Sequence, residues 1–302
     1  MRKKLFTFLL AMVASISPIF AESGTCGDNL TWDLTYGILT ISGTGAMANY
    51  TLSIGNAPCP WYSSRSSIQS VIISDGCTSI GDYAFYDCSG LTSVTIPNSV
   101  ISIGNGAFDD CSNLPVIDNL RYADTYLVET VDKSLSTYNI KQGTKWIGDY
   151  AFRSCSSLTS VTIPNSVTSI REYAFVYCSG LTSVTIPNSV TNIGSCAFYE
   201  CCSLTAITCE AVNPPALGDY VFDDVDKSIP LYVPAESVDA YKAADQWREF
   251  TNIRAIDEEQ GIEDVQGDNV QGTKAHKILR NGQIFILRGE KVYTITTGQK
   301  MK

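Results

Sequence analysis

Apolar residues recur along the middle of this chain in a fixed order that is neither helical nor simply alternating. Residues 91–113 read LTSVTIPNSVISIGNGAFDDCSN, residues 158–180 LTSVTIPNSVTSIREYAFVYCSG, and residues 181–203 LTSVTIPNSVTNIGSCAFYECCS. The decapeptide LTSVTIPNSV stands unchanged at 91, 158 and 181, which sets a 23-residue period. Leu91, Leu114, Leu135, Leu158, Leu181 and Leu204 open successive units. Phe85, Phe108, Phe152, Phe175 and Phe198 form one column; Cys88, Cys111, Cys155, Cys178 and Cys201 form another, three residues later. The span 68–90 is an earlier copy with Ile68 in the leucine place, and 135–157 is a diverged one. A period of this size predicts a solenoid: no unit can bury its apolar face alone, so each is a turn of a coil covered by its neighbours.

Within a unit, Val94, Thr95 and Ile96 alternate, which predicts a short strand with Val94 and Ile96 inward and Ser93 and Thr95 outward. Pro97 ends it, having no N–H for the next ladder. Val100 and Ile103 turn inward again, Gly104 marks a tight bend, Ala107 and Phe108 form a small-plus-large inward pair, and Cys111 closes the turn. Stacked about 4.8 Å apart, such strands form one continuous parallel sheet on one face. The predicted fold is therefore a mostly β repeat solenoid with short irregular or 3-10 turns, capped at both ends. Residues 24–47 carry two strand-like runs, TWDL and ILTIS, parted by Tyr36 and Gly37, and predict a β-hairpin cap. Residues 233–250 predict an amphipathic helical cap, with Pro234 in its first turn and Val238, Tyr241 and Trp247 on an inward stripe. The 21-residue unit 114–134 loses the motif after Ile117, and its aromatic and apolar residues predict a small hairpin projecting from the stack.

The start, MRKKLFTFLLAMVASISPIFA, has a basic end, a short apolar run and Ala21 at a cleavage position, so residues 1–21 read as a secretory signal peptide. The run is shorter than the ~20 residues a membrane span needs, and no other segment qualifies. The organisation then reads as an N-terminal β cap over 22–67, repeats over 68–227 including the irregular unit, and a C-terminal cap with its helix over 228–256. A linker over 257–274 and a β tail over 275–302 follow. The formal charge is −10, and loss of Arg2, Lys3 and Lys4 with the leader deepens it. A net-acidic chain with no basic stripe speaks against nucleic acid as a partner.

The chain has 11 cysteines, a number that in an exported protein suggests disulfides. The column argues for free thiols instead, because packing alone explains its spacing. Cys26, Cys59, Cys77, Cys196, Cys202 and Cys209 lie outside it, and a Cys26–Cys59 bridge at the cap is the alternative. Cys201 and Cys202 are adjacent rather than C-x-x-C, and the sole histidine, His276, is in the tail, so no metal site or cofactor is expected. The single histidine also leaves little material for Ser/His/Asp or Cys/His catalysis. Asp109, Asp110, Glu172 and the Asp223, Asp224, Asp226 cluster lack calcium-loop spacing and read as solvated acids.

The candidate binding residues are the outward hydroxyl pairs Ser93/Thr95, Ser160/Thr162 and Ser183/Thr185, with Arg121, Tyr122 and Tyr126 on the irregular unit. They read either as a ligand face or as a polar face that merely tolerates β structure.

The pattern L-x-x-V-x-I-P-x-x-V-x-x-I-G-x-x-A-F-x-x-C resembles the BspA-like (Treponema-type) leucine-rich repeat family. Units 91–113, 158–180 and 181–203 match it nearly throughout, with Arg171 replacing the usual Gly in one. The segments 24–47 and 60–73 resemble that family's N-terminal region, so the likeness covers roughly residues 24–256. It implies bacterial surface or secreted proteins that bind host matrix proteins, other cells or other bacteria, and it carries no catalytic residues. The last stretch, 276–302, is similar to short type IX (Por) C-terminal sorting signals, carried by Gly282–Ile286, Tyr293-Thr294 and Gly298–Lys300. That likeness implies export machinery as a partner. The tail also reads simply as a β appendage of two strands, QIFIL and KVYTI.

The resulting expectation is an adhesin-like, exported or cell-surface module for a protein or glycan ligand. A structural envelope component without a specific ligand is the alternative, and a surface enzyme is disfavoured.

Overall fold

A computed structural model of the chain describes residues 22–52 and 58–256, and the backbone of three strands in the tail. The signal-peptide and linker segments lie outside the described residues.

The repeats stack as a series of short turns, each with three bonded sides. The first side is the expected strand: Ser70–Ile73 pairs in parallel with Ser93–Thr95, Thr137–Asn139 with Ser160–Thr162, and Ser183–Ile186 with Ala206–Cys209. The second side is a two-residue strand after the proline bend. Trp146–Ile147, Ser169–Ile170 and Asn192–Ile193 follow one another in parallel, each one period on, and Ala216–Leu217 follows 24 residues later. Gly104 does not adopt a left-handed bend; it lies against the turn before, where a Cβ would come 2.3 Å from the Asp82 amide nitrogen. Close stacking, rather than bending, is what requires glycine there.

The third side was not anticipated. Two residues before each phenylalanine, Tyr83, Gly106, Tyr150, Tyr173, Cys196 and Tyr220 have φ between +52° and +59°, and two residues after it the φ values lie between +54° and +61°. Alternating left- and right-handed backbone points every second N–H along the stack. Tyr83, Phe85 and Asp87 thus donate to the carbonyls of Asn105, Ala107 and Asp109 in the next turn, at 2.9 Å each. Tyr150, Phe152 and Ser154 repeat the pattern on Glu172, Ala174 and Val176. All three sides therefore have their backbone groups paired between turns, as a buried or half-buried backbone requires.

The inward side chains form columns. Phe152, Phe175, Phe198 and Phe222 stack face to face at 4.7, 5.1 and 5.4 Å with interplanar angles of 6°, 2° and 7°. Trp61, Phe85 and Phe108 form the matching stack on the N-terminal side. All 11 cysteines are free thiols, Cys26 and Cys59 included. Those of the column do more than fill space: the Sγ of Cys111, Cys178 and Cys201 donate to the carbonyls of Phe85, Phe152 and Phe175 at 3.1, 3.0 and 3.2 Å.

Between the two stacks, the irregular unit departs from expectation. Leu120–Ala123 and Tyr126–Thr130 form a β-hairpin, but it is built into the solenoid rather than projecting. Tyr126–Thr130 takes the place of a second-side strand, pairing in parallel with Trp146–Ile147. Tyr126 extends the N-terminal ring stack, 5.7 Å from Phe108. With the first-side strand missing from this unit, the expected continuous sheet is interrupted. Ser93–Thr95 ends one ladder, and the amide of Ile96 donates to Asp124 Oδ2 at 2.8 Å instead.

The caps also differ in detail. Glu22–Gly27 adds a third antiparallel strand to the hairpin Leu30–Thr35/Ile38–Gly43, whose last strand starts the parallel stack on Ser70–Ile73. At the other end the α-helix covers only Val238–Ala243, not 233–250. Pro230–Val233 is drawn into the sheet beside Ala206–Cys209, and beyond the helix Ala244 is extended and Gln246 left-handed. Tyr241 and Trp247 are nevertheless inward, donating to the carbonyls of Ala211 and Pro215 at 2.8 and 2.9 Å. The tail backbone forms three antiparallel strands, Ala275–Arg280, Gln283–Arg288 and Lys291–Ile295, one more than expected.

Candidate functional site

The first-side strands place the candidate hydroxyls as their alternation demands. Ser160, Thr162, Ser183 and Thr185 are exposed while Val161, Val184 and Ile186 between them are buried. Ser93 and Thr95 are exposed in the same way, and Ser93 Oγ lies 3.0 Å from Ser70 Oγ in the turn before. Each pair continues across the ladder: Ser160 sits beside Thr137, Thr162 beside Asn139, and Thr185 beside Thr208. The three pairs do not form one row. Ser93 and Thr95 stand on the edge strand of the N-terminal ladder, separated from the others by the hairpin unit.

Residues next to this row have structural work of their own. The hydroxyls of Thr92, Thr159, Thr182 and Thr205 donate to the carbonyls of Gln69, Ser136, Thr159 and Thr182, at 3.0–3.1 Å. Thr168 and Thr191 do the same on the second side, to Lys145 and Thr168. The threonine after the leading leucine is therefore a stacking clip, and the hydroxyls left free of such bonds are Thr95 and the pairs Ser160/Thr162 and Ser183/Thr185, since Ser93 is bonded to Ser70.

The three candidates on the irregular unit are corrected. Tyr122 and Tyr126 are 1% and 3% exposed, because the hairpin they sit on replaces a turn of the core. Tyr122 Oη accepts from the Lys141 amide at 3.1 Å, and Tyr126 Oη lies 3.5 Å from Asp149 Oδ2. Arg121 is committed to Glu129 at 2.9 Å and to the carbonyls of Ser112 and Leu114, which leaves its guanidinium little freedom. None of the three offers a free group to a ligand.

Shifted carboxylates flank the irregular unit, Asp109 before it and Asp149 after it. Burial, with Asp149, Asp110 and Glu129 nearby, pushes the Asp109 carboxyl up to about 6. Asp149 is raised too, chiefly by burial, against the opposing charge of Arg171. Burial pushes the column thiols Cys111 and Cys201 up to about 12 and Cys209, outside the column, to about 11, so these sulfurs are un-ionised and inert at neutral pH. Among the described residues no group of three His, Cys, Asp or Glu could hold a metal, and no helix is long and apolar enough to cross a membrane.

Comparison with curated proteins finds no match. Among solved structures the chain is similar to a leucine-rich repeat protein from Eubacterium ventriosum, at 22% identity over 78% of this chain and 85% of that one, with a TM-score of 0.33. It is also similar to a leucine rich cell surface protein from Faecalibacterium prausnitzii, at 27% identity over 74% and 73%, with a TM-score of 0.31. The T. pallidum leucine rich repeat protein is similar at 23% identity over 77% and 92%, with a TM-score of 0.28. The family model for the BspA type leucine rich repeat region matches residues 61–129 and 124–241 in six copies, which is more than half of the chain and takes in every regular turn described above. On that match, the chain belongs to the BspA type leucine-rich repeat family.

Proposed function

We propose that this protein is an exported, adhesin-like binding module whose ligand face is the Ser/Thr ladder of the first-side strands. The observation that carries this reading is the row of hydroxyls at Ser160/Thr162 and Ser183/Thr185. They are exposed, regularly spaced and left free of the stacking bonds that occupy the neighbouring threonines. An uncharged donor–acceptor array on a rigid sheet suits a glycan or an extended protein segment from the host matrix or another cell. A rigid array also reduces the ordering entropy lost on binding. The leader and the type IX-like tail fit delivery to the cell surface. The division into β cap, repeats, helical cap, linker and tail assigns recognition to the repeats and export to the ends.

The test is a binding screen of the purified protein against matrix proteins, glycans and bacterial cells, repeated with Thr95→Lys, Thr162→Lys and Thr185→Lys combined. Saturable binding that the triple variant loses while keeping its circular dichroism spectrum supports the reading. Binding indifferent to those changes, or none to any probe, favours a structural envelope component.

A further inference from the structure

The third side of the solenoid carries a second surface of different chemistry. The inter-turn ladder there forces the position two before each phenylalanine, and the position two after it, into the left-handed region. Glycine meets that requirement without strain, and Asn or Asp at small cost; a bulky aromatic is an outlier there. Yet Tyr83, Tyr150, Tyr173 and Tyr220 occupy four copies of the first position, and Tyr177 one copy of the second. Such strain persists where the residue serves something other than folding.

The rings are not buried in compensation. Tyr150, Tyr177 and Tyr220 are 43%, 41% and 63% exposed. Tyr150 and Tyr173 stack at 4.9 Å and 4°, and Tyr177 meets Tyr199 edge to face at 5.9 Å. The result is a ridge of ordered aromatic faces running along the stack. Acids accompany it: Asp87, Asp110, Glu200 and Asp224 stand two residues after a phenylalanine and Glu172 and Asp219 three before one, with Asp87 already paired to Arg65 at 3.0 Å. Tyr86 and Tyr199 are held as neutral phenols by neighbouring carboxylates, Asp110 and Asp224 respectively. Beside these columns Arg153, one residue after Phe152, places its guanidinium carbon 5.5 Å from the Tyr150 ring centre.

We propose that this tyrosine–carboxylate ridge is a docking surface for a basic, extended protein segment. Arginine and lysine side chains of the partner would stack on the exposed rings and pair with the carboxylates of adjacent turns, as Arg153 already does on Tyr150. Charge decides between this partner and a neutral sugar, which aromatic faces alone would also suit: Asp110, Glu172, Glu200, Asp219 and Asp224 outnumber Arg153 on the ridge, and the chain is net negative. The surface is separate from the hydroxyl ladder, and the proposal rests on the reading of the protein as a binding module.

The probe is a fluorescently labelled ten-residue Arg–Gly peptide, titrated by anisotropy at physiological ionic strength into the purified protein. The decisive variant combines Tyr150→Asn, Tyr177→Asn and Tyr220→Asn. It changes no charge, and asparagine tolerates the left-handed backbone at all three positions. The expected result is saturable binding weakened at least ten-fold by this variant and left within two-fold by Thr162→Lys with Thr185→Lys. Equal affinity for wild type and the tyrosine variant would reduce the effect to net charge and overturn the proposal. Absence of peptide binding, or ridge-dependent binding of a neutral hexasaccharide in its place, overturns it as well. The tyrosine and threonine variants fail separately, so loss of this surface leaves the hydroxyl-ladder reading intact, and the reverse.

Discussion

Arg171 Nε lies 3.2 Å from Oδ1 of Asp149, and Nη2 of the same guanidinium reaches Oδ1 of Asn105 at 2.9 Å. Arg171 stands where the repeat otherwise has glycine, and its long side chain crosses the region where the hairpin unit interrupts the stack. It thereby ties the turn 158–180 to the turn 91–113 and neutralises a carboxylate whose side chain is only 4% exposed. Arg171→Gly restores the repeat consensus but leaves Asp149 charged and unpaired. We expect a loss of about 3 kcal/mol, since removing one partner of a largely buried pair strands the other charge. Urea unfolding reads it, and adding Asp149→Asn should recover part of the loss. If Arg171→Gly unfolds at the wild-type midpoint, the clamp contributes nothing.

Asp109 makes the same region sensitive to pH. Its folded-state pKa of about 6 lies above the unfolded value near 3.8, so the folded state holds the proton more tightly. Stability from this group is complete below the unfolded value, falls as pH rises from about 4 to 6, and is flat above that. Asp149, Asp110 and Glu129 face it with like charge, and Arg171 is engaged by Asp149. Asp109→Asn should therefore stabilise the protein at pH 7–8 by about 1–3 kcal/mol and give no gain at pH 4. Melting curves of both proteins at the two pH values check it; a gain of equal size at pH 4 would point to packing rather than ionisation.

The thiols should separate by reactivity. Cys202 is exposed, whereas the five cysteines of the repeat column are buried. At pH 8 a thiol-specific reagent should consume Cys202 rapidly and reach the column only on denaturation: burial holds Cys88, Cys111 and Cys201 as thiols, and Cys155, whose contact with Cys178 lowers it to about 7, is protected by its inaccessibility alone. Cys202→Ser should abolish the fast phase. Rapid labelling of the column in the native protein would mean that the turns open locally.

The three-sided turn explains what could and could not be read from the residues. Strand one, the inward Phe and Cys columns and the capped solenoid follow from periodicity, because burial repeats every 23 residues wherever Leu, Val, Ile, Ala and Phe repeat. The left-handed positions had no such signal: Tyr83 and Tyr150 do not look like turn residues, and only Gly106, in the same column, marks the conformation. The hairpin unit misled for a related reason. Its aromatics suggested a projection with Tyr122 and Tyr126 at a surface, but a missing turn leaves a gap in the core, and those rings fill it. Arg171 was visible as a departure from the pattern, and its partner Asp149 was not, since the pairing depends on how turns stack. The helix over 233–250 failed because Pro230–Val233 had a sheet edge to join.

Deleting whole units separates the general repeat from the local clamp. Residues 158–180 and 181–203 share their first ten residues and the same columns, so either deletion should leave a solenoid one turn shorter with its caps in register. Nearest-neighbour stacking would make the two deletions equally costly. Only deletion of 158–180 removes Arg171, placing Gly194 next to Asp149 in the shortened stack. That variant should melt below the 181–203 deletion, and Asp149→Asn should narrow the gap by removing the stranded charge. Equal midpoints for the two deletions would show that the array behaves as a uniform sum of turns and that the Arg171–Asp149 contact carries no weight of its own.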